Sequence, residues 1–331
     1  MNAALTRNLT IAFFVLLAFG ASSPLLVGQA KFPQWLEVVL GGLMSGVLYS
    51  LVALGLVLIF KASGVFNFAQ GAMVLFAALS LVRLMEKMPF VVALAVTVAI
   101  MVAVAWLIER LVLRRLVNQE GIVLFMATLG IAYFLDGLGQ TIWGSDIYTL
   151  NVGMPKEPKI LLEGTFEGGI LVSMEDVYAA VIAATLVGLL ALFFQKTATG
   201  RALRAVADDH QAAQSIGIPL NRIWVIVWSV AGIVALVAGI IWGSKLGVQF
   251  SLQLVALKAL PVVILGGFTS IPGAIIGGLI IGLGEKISEV TSARCWAAGS
   301  RTGSRTCWRW CSCCSGRKAC SANVTSTGCR A

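Results

Sequence analysis

What most limits the shape of this chain is a recurring unit: predominantly apolar runs of about 20 residues, the length a helix needs to cross roughly 30 Å of hydrocarbon. They fall at 9–27, 36–60, 90–108, 122–143, 177–194 and 223–242, with further apolar stretches at 63–80 and from 254 to about 284. Lipid offers no partner to backbone N–H and C=O groups, so runs of this kind fold as helices that satisfy those groups internally. Composition agrees, because 59% hydrophobic and 12% charged residues leave too little polar surface for a soluble globule of 331 residues. The expected fold is all-α, a polytopic transmembrane helix bundle of about 8–9 membrane segments that include broken or re-entrant helices. Segment 9–27 reads as a retained first helix rather than a cleaved leader, since Pro24 and the lack of a small-x-small site near Gly28 argue against cleavage.

Charge and cysteine divide the chain in two. Residues 291–331 hold seven Lys or Arg and no Asp or Glu, which leaves 17 basic against 15 acidic residues before them, so the formal charge of +9 does not point to nucleic acid. All seven cysteines also lie in that tail, with a spacing that fits no common metal pattern. In a GC-rich gene, a Cys, Trp, Arg and Ser mixture is what Leu-rich coding yields when read out of register. Permitted codons for 293–330, read in the shifted register, give a long apolar run closing on Arg-Pro-Gln-Gly-Leu-Phe-Gly. Residues 1–290 are therefore expected to form the transmembrane domain, and 291–331 to be an off-frame, disordered tail lacking the final span.

Within the body, Glu109, Arg110, Arg114 and Arg115 follow the 90–108 run as its densest basic cluster, which the positive-inside rule assigns to the cytoplasm. The loop 144–176 carries six acids to two bases and suits the outer face, where a delivery protein would dock. In the 63–80 stretch, Asn67, Gln70 and Gly71 interrupt an apolar sequence, which predicts a half-unwound element buried in protein or lining a cavity. These three are candidates for a translocation path; a helix start capped by Ser63 or Asn67 is the other reading. Asp136 and Gln140, one turn apart, are further path candidates, against a structural role for Asp136 near the outer end. Lys258 is read as snorkelling to an interface. Gly277, Gly278 and Gly282 permit close helix crossing.

The long polar interruption 199–222, TGRALRAVADDHQAAQSIGIPLNR, predicts two short amphipathic helices, around 201–207 and 208–216, closed by Gly217 and Pro219. An acidic residue, Ala-Ala, then Gly and a hydrophobic-Pro step resembles the coupling loop by which ABC-importer permeases dock on their ATPases. GRALRAVADDHQAAQSIGIP, GVFNFAQGAMVLFAA and LKALPVVILGGFTSIPGAIIGGLIIGLGE are all similar to stretches of the branched-chain amino-acid importer permeases, a family that often carries His where Gln70 stands. The resemblance spans roughly 36–290. It implies a coupling loop at 196–222 in which Arg204, Asp208, Asp209, Ala212, Ala213 and Gly217 meet the ATPase, small Ala side chains letting a short helix seat in a groove. It further implies an inner-membrane subunit that pairs with a second permease and two ATPase subunits and receives branched-chain or related hydrophobic amino acids from a periplasmic binding protein. A urea or short-amide importer permease is the alternative. Membrane lipid is the remaining partner, and nucleic acid is not one.

No GxxxxGK[ST] motif occurs, so ATP is expected on the partner subunits and no cofactor on this chain. With His210 the lone histidine, no metal site is expected. An intramembrane enzyme would need paired carboxylates or a nucleophile with its base, and neither pattern is present. An ion-coupled carrier working alone is the remaining rival.

Overall fold

The computed structural model describes residues 32–302 except 65, 117–118, 154, 156, 162–169, 209–212, 214 and 216–219. The expected first helix and all of the tail beyond Thr302 therefore lie outside the described residues. The chain divides into two compact units, Met1–Lys286 and Ile287–Ala331.

Among the described residues the main helices, in chain order, are α1 Phe32–Ser63, α2 Ala69–Met85, α3 Phe90–Leu111, α4 Gly121–Trp143, α5 Met174–Lys196, α6 Ala198–Asp208, α7 Leu220–Leu246, α8 Val255–Gly266 and α9 Ile271–Thr302. Also among the described residues, six segments are long and apolar enough to cross a membrane, and α2 and the Phe250–Gly266 segment are shorter apolar helices. The protein is a multi-pass, all-α membrane bundle. One local addition is a two-stranded antiparallel hairpin in the 144–176 loop, Pro158–Leu161 with Ile170–Ser173. It is tied to α1 where Leu171 N donates to Glu37 Oε1 at 2.6 Å.

The elements end where local chemistry stops them. α2 cannot run on because Pro89 follows its last turn, and the residue before a proline is pushed out of the helical region. α4 closes on Gly144, whose φ of +84° suits a residue without Cβ. In α5 the first turn carries Glu175 and Asp176, which complement the positive end of the helix. Both reach across to the last turn of α7: Ser244 Oγ donates to Glu175 Oε1 at 2.9 Å, and Lys245 pairs with Asp176.

α2 is the centre of the bundle. Every residue from Ala69 to Val82 is buried, which fits a helix apolar on all sides, and it packs on α4, α7 and the 3₁₀ turn Phe250–Leu254. α1 packs on α7 and α5, whereas α3, α4 and α5 turn most of their apolar surface outward, as lipid-facing helices do. α9 runs antiparallel to α1 along a seam of small residues: a Cβ on Gly46 would come within 2.8 Å of Gly278 O, and Ser50 Oγ lies 3.1 Å from Ile275 O. α9 also extends past its expected end near Gly284 to Thr302, because Ala293, Ala297 and Ala298 favour helix and no proline intervenes.

Candidate functional site

The connection between α1 and α2 is a break of five residues, 64–68, opened by Gly64 with φ +71°. Phenylalanines surround it. Phe66 and Phe68 meet edge to face at 4.6 Å, Phe68 meets Phe125 of α4 at 5.0 Å, and Phe268, in the α8–α9 turn, lies 4.9 Å from Phe60. Thr128 Oγ1 sits within 3.5 Å of Phe68 N, 3.4 Å of Phe66 O and 2.8 Å of Phe125 O, so one hydroxyl stitches the break to α4. Trp224 Nε1 donates to Ala62 O at 3.2 Å and satisfies a carbonyl in the last turn of α1.

Asn67 lies in this break, whereas Gln70 and Gly71 belong to the first turn of α2, so the half-unwound element expected over 63–80 is confined to the residues before Ala69; all three lie inside the packing. Asn67 Oδ1 accepts from Ala69 N at 3.0 Å, the helix-start geometry, while its Nδ2 is buried without a partner. Gln70 is fully buried; its Nε2 reaches Ala231 O of α7 at 3.4 Å and its Oε1 is buried without a partner. The Gln70 amide occupies the space where a side chain on Gly55 would stand. Gly71 lies directly against the Gln253 carbonyl, so its lack of a Cβ lets α2 touch the 3₁₀ turn. Buried polar atoms without partners cost about 1–3 kcal/mol each, so two of them at one helix break are a notable expense.

Asp136 and Gln140 are not part of this cluster. They lie eight and twelve residues beyond Thr128 on α4, about 12 and 18 Å further along its axis. Gln140 is exposed on the outer side of the bundle, and Asp136 is half-buried with Oδ1 unpartnered.

At the end of the bundle that carries Lys61, Arg110 and Lys196, α6 lies against α5, α1 and α7. Leu203 and Val206 are buried beneath it, while Arg201 and Arg204 stay exposed. The α5–α6 corner is built by Thr197, whose Oγ1 donates to Phe193 O at 2.6 Å and accepts from Gly200 N at 3.1 Å. Arg201 Nη1 and Arg204 Nη2 then fold back on the Lys196 and Gln195 carbonyls at 3.2 and 3.3 Å. Two cations so placed satisfy orphan carbonyls at the C-terminus of α5 and oppose its dipole. Arg204 is thus engaged within the chain. Ala213 is 2% exposed and also packs inward, Asp208 ends α6, and Asp209, Ala212 and Gly217 lie outside the described residues.

Several contacts at the ends of the bundle escape sequence reasoning. Glu109 is 1% exposed and pairs with Arg114 Nε at 3.4 Å across the 3₁₀ turn Leu113–Arg115. Its signal is the Glu-to-Arg step of five residues, which becomes a contact only through the turn. Lys258 pairs with Glu285 at 3.6 Å, both side chains exposed, instead of extending alone to an interface. Arg83, Glu86 and Tyr148 gather at the opposite end, and the long sequence separation of Tyr148 from the other two hides the cluster.

The broken connection before α2 and the amphipathic helix across one end both lie within the stretch that is similar to known proteins. A family model described as branched-chain amino acid transport system / permease component matches residues 38–298. The chain belongs to this permease family. The permease is 29% identical over 278 residues to the high-affinity branched-chain amino acid transport permease protein LivH of Escherichia coli strain K12, covering 78% of this chain and 87% of the relative. It is 28% identical over 270 residues to BraD of Pseudomonas aeruginosa, covering 76% and 85% respectively. A probable LivH of Methanocaldococcus jannaschii is 30% identical over 266 residues, covering 78% of the permease and 82% of the relative. No solved structure matches the permease.

Proposed function

We propose that this permease is the membrane-spanning subunit through which branched-chain or related hydrophobic amino acids enter the cell across the inner membrane. Separate ATPase subunits drive it, a second permease subunit completes the pathway, and a periplasmic protein delivers the substrate. The observation that carries the reading is α6: an amphipathic helix laid across the basic end, the cytoplasmic one in this reading, and bonded to the last carbonyls of α5, in contact with α1 and α7. A push on this helix reaches α7, which packs on α2, and α1, whose Gly55 abuts the Gln70 amide, and this is what an ATP-driven switch between outward and inward openings requires. The loop 196–222 is the ATPase contact in this reading, with Asp208, Asp209, Ala212 and Gly217 facing the partner, Arg204 holding the corner, and Ala213 supporting the loop from within. Asn67, Gln70 and Gly71 line the path when the bundle opens, the state in which the orphan amide atoms of Asn67 and Gln70 find water or substrate. Asp136 and Gln140 stand at the edge of that path. The names of the relatives favour amino acids over urea or short amides.

The test is uptake by proteoliposomes that contain the full permease with its ATPase and second permease subunits and the loaded binding protein. ATP-dependent accumulation of leucine, with no accumulation of urea, is the expected result. Leucine uptake that persists without the ATPase subunits would return the chain to the class of ion-coupled carriers.

A further inference from the structure

At the end of the bundle opposite α6, a cavity of about 350 Å³ opens between the last turns of α2 and the loop after α4, lined by Val82, Met85, Glu86, Tyr148, Leu150 and Asn151. We propose that it is a docking subsite for a zwitterionic aliphatic α-amino acid, which the permease holds before the bundle opens. The inference rests on the amino-acid reading above and deepens it.

Tyr148 is the fixed point of the cavity wall. Its backbone N and O both pair with Val248, at 3.1 and 2.7 Å, and its hydroxyl donates to Trp143 O at 2.8 Å, so the ring has a set place. The Arg83 guanidinium lies over that ring at 5.0 Å from its centre. An Arg and Glu three residues apart on a helix surface are worth a few tenths of a kcal/mol and need no function. Here the cation is also held by the stacked ring, so its direction is set before a ligand arrives. Arg83 Nη1 reaches both Glu86 oxygens, at 3.2 and 2.9 Å, and the two side chains are 36% and 49% exposed, open to exchange partners. Glu86 thus lines the pocket, Arg83 is held beside it by its pairing with Glu86 and by the lining ring of Tyr148, and the floor, Val82 and Leu150, is buried and apolar.

An aliphatic α-amino acid matches each part. Its carboxylate meets Arg83, its ammonium meets Glu86, and its side chain lies on Val82, Met85 and Leu150. A ligand of both charges separates the internal ion pair and leaves neither member uncompensated, whereas a ligand of one charge strands the other member. The volume lies at the small end of the roughly 300–1,000 Å³ of ligand pockets, which suits a single metabolite rather than a peptide.

Asn151→Cys in the full chain reports on occupancy. Its modification by N-ethylmaleimide is followed in the proteoliposomes used for uptake, with the rate of the unsubstituted chain subtracted to remove the tail cysteines. L-leucine slows the reaction; 3-methylbutylamine and 4-methylpentanoate, which each lack one charge, do not. Glu86→Gln and Arg83→Gln each raise the half-protecting leucine concentration by about tenfold, the loss of one charge-assisted contact. Absence of protection by leucine, equal protection by a one-charge analogue, or an unchanged half-protecting concentration in both variants would each overturn the subsite. Uptake separates this result from the broader reading: normal leucine uptake without protection removes the subsite alone, and protection without any ATP-driven leucine uptake removes the transport reading and keeps the subsite.

Discussion

Replacing Gln70 with Leu separates what the buried amide does for the fold from what it does for transport. In the structure the side chain makes one long hydrogen bond, 3.4 Å to Ala231 O, and leaves Oε1 buried without a partner. The bond is worth about 0.6 kcal/mol by the average found for hydrogen bonds between membrane helices. Ala231 O loses little, because the α7 helix already supplies it with an intrahelical donor. Removing the orphan acceptor returns about 1–3 kcal/mol of desolvation cost. Leu fills nearly the same volume against Gly55 and α7, so the net effect is a bundle more stable by about 1 kcal/mol. If Gln70 lines the opened path, the same change lowers ATP-driven leucine uptake by about tenfold or more, because the orphan atom loses its use in the open state. Stability is read from denaturant titration of the purified full chain, and uptake from proteoliposomes. A destabilisation of about 1 kcal/mol or more would refute the accounting of the amide, and a stable variant with normal uptake would show that Gln70 is packing material.

Gly55→Ala pushes a methyl group into the Gln70 amide and is expected to destabilise by about 1–3 kcal/mol. Combined with Gln70→Ala it should cost less than the two changes summed, and strict additivity in the four-member cycle would contradict the contact. Arg201→Gln with Arg204→Gln frees α6 from the end of α5; hydrogen exchange should quicken in Ala198–Asp208 while membrane insertion is unchanged, and unaltered exchange would show that the corner holds without the two cations. For the tail, a single-base correction upstream of Arg294 is expected to raise both the amount of inserted protein and its uptake, because the seven basic residues of 291–331 would resist burial as a span. A confirmed reading frame together with normal transport by the chain as written would remove that idea.

Length and apolarity are local properties, so the sequence by itself determined the spans among the described residues, their order, an interruption before α2, and the amphipathic helix after α5. Asn67 made the break legible because its side chain offers an acceptor to the start of the next helix, and the structure adds Gly64, whose positive φ opens the break. The direction in which each helix faces was not legible. In lipid an apolar surface suits a neighbouring helix and an acyl chain alike, so α2, enclosed on every side, and α4, mostly open, have much the same composition. Only the tertiary structure decided that Gln70 meets Gly55 and Ala231, that Ala213 packs inward, and that Arg204 turns back on Gln195. It also brought Arg83 to Tyr148, across 65 residues of chain, since a contact of that range depends on how α2, α4 and α7 pack together and leaves no period or spacing in the residues between.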